Sequence, residues 1–338
     1  MTYFALDVHK SSSTVAYFDP SSGEVDTRRL YTQRPELAAL LAEFPGPWIV
    51  ALEATRQSPA VCAWLRELNC EIHLVDPAKL SALAKLRRAK SDAKDAELML
   101  EALVHEYLPE AYLAPPEVAE DRELMRCYQA CRRVATQFRN LLRALLARCG
   151  VELAATNLCG AGAQEALDQE QARLSPLAQL ICVQYRRLLT EAEATLTLLK
   201  KHIRERAAAL PLARALQAQP GQGALTSLGL LAEIGDVTRF AGYKQLISYA
   251  GLAPNSYQSG DRAQTGHLPQ HCNRRLRYWA VVAAQCATRC AQPSAAKRAY
   301  RRVRYRHGPN AAKIAAAREI LRDVYFTAGR LTPEALAA

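Results

Sequence analysis

Four acidic residues stand where a metal-dependent nuclease would need them. Asp7 interrupts the apolar run Tyr3 to Val8, Glu53 follows the run Trp48 to Leu52, and Asp92 and Asp95 lie in Lys90-Ser91-Asp92-Ala93-Lys94-Asp95-Ala96. In a strand, Leu6 and Val8 share one face and turn Asp7 to the other. In a helix, Asp92 and Asp95 at i and i+3 share one side. Carboxylate oxygens gathered this way are ligands for Mg²⁺ or Mn²⁺, and two such ions about 3.5–4 Å apart stabilise both the attacking and the leaving oxygen at a phosphodiester. Taken singly, each acid has a plainer role, a helix cap for Asp92 or Asp95 and a loop entry for Glu53. Four together in a basic chain point to metal. His9 and Lys10 follow Asp7 after the single residue Val8 and face either a phosphate or solvent, and His267 and His271 are further imidazoles whose default role is structural.

The elements that must position these acids follow from periodicity. Tyr3–Val8 and Thr14–Phe18 predict a hairpin across a serine-rich turn, and a third strand is expected over Val25–Tyr31. A helix over Pro35–Phe44, a strand over Trp48–Leu52, a helix with Ser58 as N-cap and Pro59 at N1, and a strand over Glu71–Val75 complete the order. Three strands followed by alternating helix and strand is the order of an α/β ribonuclease H-like fold. Strand ends and helix starts converge at one edge of such a sheet. From about Glu117 to Leu210 the pattern turns helical, with Leu124, Val134, Phe138, Leu141, Leu142 and Leu145 spaced for one face, and predicts a long helical hairpin or coiled-coil arm. Gly150 and Asn157–Gly162 interrupt it, and Ser175-Pro176 restarts its second limb. The arm serves dimerisation or packs back on the chain. Gln219-Pro220-Gly221-Gln222-Gly223 before Leu225–Ile234 predicts a helix-hairpin-helix-like turn, read either as a phosphate grip or as a simple connector.

Charge supplies the partner class. The 338 residues carry a formal charge of +11, which favours a polyanion. The excess is concentrated: Arg262 to Arg318 contains no Asp or Glu, while Arg274, Arg275, Arg277, Arg301, Arg302 and Arg304 fall within it. Ten cysteines occur without a C-x-x-C pair, which argues against zinc and for small buried thiols in a reducing compartment. Neither a secretory leader nor an apolar run of membrane-spanning length is expected, so the predicted setting is cytoplasmic and DNA-associated.

Several segments together resemble one family. Leu6-Asp7-Val8-His9-Lys10, Leu52-Glu53-Ala54-Thr55, Ser91-Asp92-Ala93-Lys94-Asp95-Ala96 and Tyr249-Ala250-Gly251-Leu252-Ala253-Pro254 leading into Ser259-Gly260 are similar to the DEDD-type insertion-sequence transposases, also described as bridge-RNA-guided recombinases, whose first domain is like the Holliday-junction resolvase nuclease. The resemblance implies that Asp7, Glu53, Asp92 and Asp95 bind Mg²⁺ or Mn²⁺ and that Ser259 is a nucleophile forming a phosphoserine link to DNA, with Ser256 its rival. It implies a helix from about Asn273 presenting Arg274, Arg275 and Arg277 to phosphates. The sequence departs from the family pattern at Gln270-His271-Cys272. Lys10, Arg262, Arg301, Arg302 and Arg304 complete the expected nucleic-acid contacts. Double-stranded donor and target DNA, an element-encoded noncoding guide RNA and further copies of the chain, as dimer or tetramer, are the implied partners. A structure-specific nuclease that hydrolyses with water is the competing enzyme class. The expected division is a nuclease-type domain at 1–110, a helical arm at 115–210 and a mostly α C-terminal domain at 211–338.

Overall fold

The computed structural model describes residues 1–19, 22–85, 92–151, 158, 160–254, 256–259 and 262–331, with the backbone alone for 19, 161, 256–259 and 262–265. The chain divides into two compact units, Met1–Ala114 and Pro115–Ala338.

In the first unit β1 (Thr2–Val8), β2 (Ser12–Asp19) and β3 (Glu24–Tyr31) form an antiparallel meander, followed by α1 (Arg34–Ala42), β4 (Trp48–Glu53), α2 (Ser58–Glu67), β5 (Glu71–Val75), α3 (Pro77–Ala84) and α4 (Asp92–Val104). The sheet order is β3-β2-β1-β4-β5, with β1, β4 and β5 parallel. This mixed five-stranded sheet is compatible with a ribonuclease H-like DEDD domain. Strand alternation divides the core in two. Phe4, Leu6, Val8, Val50 and Leu52 face α1 and α2, where Leu37, Leu41, Val61 and Leu65 cover them. On the opposite face Ala5, Ala16 and Ala51 meet Ala96, Met99 and Leu103 of α4. Small side chains there let the helix approach the strands closely, which brings its first turn to the sheet edge. The α2 cap differs from expectation by one residue. Gln57 is the N-cap, and Ser58 occupies the first turn with its hydroxyl donating to Thr55 O at 2.9 Å.

In the second unit α5 (Pro116–Arg148) and α7 (Pro176–Ala209) form the long hairpin, with α6 (Ala161–Gln171) between them. Ser175 caps α7 by accepting from Ala178 N, as the Ser-Pro signal predicts. Next come α8 (Pro211–Gln217), α9 (Ala224–Ile234), α10 (Tyr243–Tyr249), a two-stranded ribbon of β6 (Ser256–Ser259) and β7 (Arg262–Thr265), α11 (Arg274–Arg289) and α12 (Ala295–Ala328), which kinks at Gly308. α9 is buried from Thr226 to Ile234 and forms the hub. One hydrophobic cluster runs from Met125 and Leu142 of the hairpin through Leu228 and Leu230 of α9 to Trp279 and Leu321. The expected arm and C-terminal domain therefore share a core, because the hairpin's apolar stripe is covered by α9 as well as by its own partner limb. Gly221, in the turn before α9, has φ +84°, and a Cβ there would lie 2.3 Å from Ala287 N. The turn needs glycine for close packing on α11.

Candidate metal centre

Asp7 is the second-last residue of β1 and Glu53 the last of β4, parallel neighbours in which Leu6 pairs with Leu52. Asp7 is in phase with Ala5, and Glu53 with Ala51, so both acids belong to the pleat that α4 covers. Asp92 and Asp95 open that helix. The sheet register and the helix start thus bring to one edge residues that lie far apart in the chain.

For part of the set the separations are short. His9 Nε2 lies 3.3 Å from Asp7 Oδ2 and 3.5 Å from Asp92 Oδ2. Ligand atoms of Asp7, His9 and Asp92 all fall within 4.8 Å of one another, a separation that one metal ion could bridge. Asp7 is 7% exposed, whereas His9 and Asp92 are open to solvent. Burial pushes the Asp7 carboxyl above its ordinary value, His9 opposes that rise, and the negative charges of Asp92 and Asp95 add to it. A buried carboxylate crowded by like charge and lined by hard oxygen donors fits a divalent cation such as Mg²⁺. The His9 backbone is fixed on both sides, its N–H donating to Ser12 O at 3.1 Å and its carbonyl accepting from Thr32 Oγ1 at 2.9 Å.

His9 is a candidate site residue whose two readings the sequence leaves open. The one-residue gap after Asp7 carries the signal, because a tight turn at the end of β1 folds the imidazole back over the aspartate. Lys10, next in the chain, is exposed. Glu53 is half-buried and has a partner of its own.

The expected nucleic-acid residues of the second unit fall into two groups. Arg274, Arg275, Arg301, Arg302 and Arg304 are exposed or nearly so along the basic stretch, with Arg274 and Arg275 at the start of α11 and the others on α12. Asn273 and Arg277 are engaged internally. Asn273 Oδ1 caps α11 by accepting from Leu276 N at 2.9 Å, and its Nδ2 donates to Glu233 Oε2 at 3.0 Å. Arg277 donates from Nε to Ala250 O at 3.2 Å and from Nη2 to Pro269 O at 2.7 Å, with Cys272 Sγ 2.8 Å away. Cys272, at the departure from the family pattern, thus packs on the guanidinium that holds the loop after α10 together. Gly251, at φ +66°, leaves the room: a Cβ there would lie 2.1 Å from Arg277 Nη2. In the ribbon, Ser256 pairs with Thr265 and Ser259 with Arg262. The side chains of Ser256, Ser259 and Arg262, and the whole of Ser91, Asn157, Cys159, Gly260 and Asp261, lie outside the described residues. No described helix is long and apolar enough to cross a membrane.

Comparison with known proteins gives both units the same affinity. Residues 4–150 match a transposase family model of the DEDD, IS110 type, and residues 213–301 match the model of the transposase IS116/IS110/IS902 family. A protein of insertion element IS116 from Streptomyces clavuligerus is 37% identical over 24% of this chain and 21% of its own length. One of insertion element IS110 from Streptomyces coelicolor is 42% identical over 20% of this chain and 16% of its own. The putative transposase y4rJ of Sinorhizobium fredii is 26% identical over 81% of this chain and 77% of its own. The alignments with the two insertion-element proteins span about a fifth of those relatives. By family model and by the names of relatives, the likeness is to DEDD transposases of the IS110/IS116 family.

Proposed function

From that likeness we propose that the chain is the transposase of a mobile insertion sequence, cleaving and exchanging DNA strands with a divalent metal held by Asp7, Glu53, Asp92 and Asp95. The observation that supports this most is the convergence of Asp7, His9 and Asp92 at the sheet edge, with Asp95 close enough to raise the proton affinity of Asp7. When bound there, Mg²⁺ or Mn²⁺ supplies Lewis-acid stabilisation of charge on phosphate oxygens. The protein's own part is to hold the carboxylates in fixed register and to keep Asp7 partly dry, so that its charge is spent on the cation and not on water. His9 Nε2, between Asp7 and Asp92, orients both carboxylates.

The serine-bearing ribbon is the proposed nucleophile carrier. In that step the Ser259 hydroxyl oxygen bonds to phosphorus, the bond from phosphorus to one deoxyribose oxygen breaks, and the serine proton ends on the departing sugar oxygen. The phosphodiester count is unchanged, so the strand can be rejoined to a new partner without an external energy source. Donor and target are double-stranded DNA, chosen by an element-encoded noncoding RNA. In this reading the active assembly is an oligomer in which the acids of one copy of the chain act with the serine of another.

Nicked suicide substrates carrying an element end test the reading. Denaturing electrophoresis should show a protein–DNA adduct that disappears in Ser259→Ala and persists in Ser256→Ala. Strand cleavage without an adduct would instead make the protein a structure-specific nuclease using water. An undiminished adduct in Ser259→Ala would remove that serine from the chemistry.

A further inference from the structure

The long hairpin carries a polar stripe. Gln129, Arg132, Arg133, Gln137 and Asn140 recur on α5 at intervals of three and four residues, beside the buried Tyr128, Ala135 and Leu142 that face the core. Across from this stripe the first turns of α11 present Arg274, Arg275 and Tyr278. Together they line a groove of about 590 Å³ in which, among the described residues, there is no carboxylate.

Four arginines line the groove. Ion pairs of this unit occupy other arginines of the same hairpin: Arg126 with Glu123, Arg139 with Glu193, and Arg206 with Asp121. Among the described residues no carboxylate pairs with Arg132, Arg133, Arg274 or Arg275, and all four are exposed. Their mutual repulsion is a standing cost that a polyanion would offset. Arg132 donates to the Tyr278 hydroxyl, and the Tyr278 ring rests edge-on against Trp279, with centroids 5.0 Å apart, so the aromatic wall of the groove is braced from behind.

We infer that this groove takes unpaired nucleotides of a nucleic-acid strand, with the arginines on phosphates, the Gln and Asn amides on base edges and Tyr278 as the aromatic surface. Size and shape favour this over a duplex. The volume is that of a small-ligand pocket, room for about one or two nucleotides. A duplex offers its phosphates on a broad convex surface and hides its bases. Amides beside arginine and tyrosine are the side chains that read unstacked bases. Only the class of ligand rests on the proposed function. Neither metal nor cleavage is required, so the two readings fail separately.

The test uses the full chain in EDTA, with fluorescein-labelled dT12, U12 and a 12-base-pair duplex followed by anisotropy across a KCl series. The double variant Arg132→Ala with Arg133→Ala should weaken single-strand binding at least tenfold, and should flatten the slope of log affinity against log salt by about 1.4, or ~0.7 for each phosphate no longer neutralised. Gln137→Glu, which adds a charge to an exposed position and removes no arginine, should act in the same direction and covers the case in which the double variant misfolds. Weakening confined to dT12 assigns the groove to DNA, weakening confined to U12 to RNA, and weakening of both to the shared phosphodiester chain. Unchanged affinity and slope in the folded variants, or weakening seen only with the duplex, would overturn the inference.

Discussion

Replacing Asp7 by Asn should stabilise the metal-free protein while abolishing its response to magnesium. The oxygens of Asp7 and Asp92 lie within 4.8 Å. Two unit charges at that distance repel by ~0.9 kcal/mol in water and by about 3.5 kcal/mol at an effective dielectric of 20. The side chain of Asp92 is 63% exposed, which places the interaction near the lower figure, about 1 kcal/mol. Asn keeps the shape and an acceptor for His9; removing the charge also relieves the burial penalty, the largest cause of the raised Asp7 proton affinity, and gives up the opposing attraction of His9, so the net sign follows that raised affinity. The first unit, 114 residues long, should then melt roughly 3–5 °C higher in EDTA. Magnesium at tenfold over its dissociation constant should raise the wild-type transition by about 1.4 kcal/mol and leave the Asp7→Asn transition nearly still. The pH dependence has a definite sign. Asp7 holds its proton more tightly folded than unfolded, so its share of stability is full below about pH 4 and is lost as pH rises through its elevated folded value. The wild-type deficit relative to Asp7→Asn should therefore shrink on acidification. Differential scanning calorimetry in EDTA and in a MgCl₂ series reads all three effects. A lower metal-free transition in Asp7→Asn, with a magnesium response equal to wild type, would refute the electrostatic account of the site.

Further outcomes are expected elsewhere in the molecule. Arg206→Ala leaves the buried Asp121, now 2.8 Å from the Arg206 Nε, without its cation. The second unit should lose roughly 1–3 kcal/mol by denaturant titration, less than the ~3–5 kcal/mol of a fully buried pair because the guanidinium is about a third exposed. Gly229→Ala would place a Cβ 2.4 Å from Trp279 Cδ2 where α9 crosses α11, and should cost about 1–3 kcal/mol with a shift in tryptophan fluorescence. Burial pushes the Cys62 and Cys70 thiols up to about 11, so both should resist iodoacetamide at pH 8 until the first unit unfolds, as peptide mass mapping would show.

Much of the first unit was legible because its signals are local. Strand alternation around Asp7, the Trp48–Glu53 run and the Pro-led helices depend on near neighbours, and the sheet placed Asp7, Glu53 and α4 as that pattern required. His9 was harder, since its placement beside Asp7 and Asp92 depends on the turn that follows β1 and on a helix more than eighty residues later. In the second unit, helical period identified the hairpin but not what covers it. An apolar stripe fits a partner copy or a neighbouring helix equally well, and only α9, buried along nearly its whole length, decides for the latter over much of that stripe. Arginines are the least legible of all. Arg274 and Arg277 look alike in sequence, yet one is exposed and the other is bound to the Ala250 and Pro269 carbonyls. The chain cannot announce which guanidinium its own loops will use.

Whether Asp7 and Asp92 hold a divalent ion can be read by electron paramagnetic resonance of Mn²⁺ added to the metal-free full chain, which reports bound ion without any need for the right DNA. Titration into wild type should remove the free-ion signal, Mg²⁺ should compete, and the signal should return in Asp7→Asn and Asp92→Asn. Equal Mn²⁺ uptake by both variants and wild type would contradict the assignment of the metal centre.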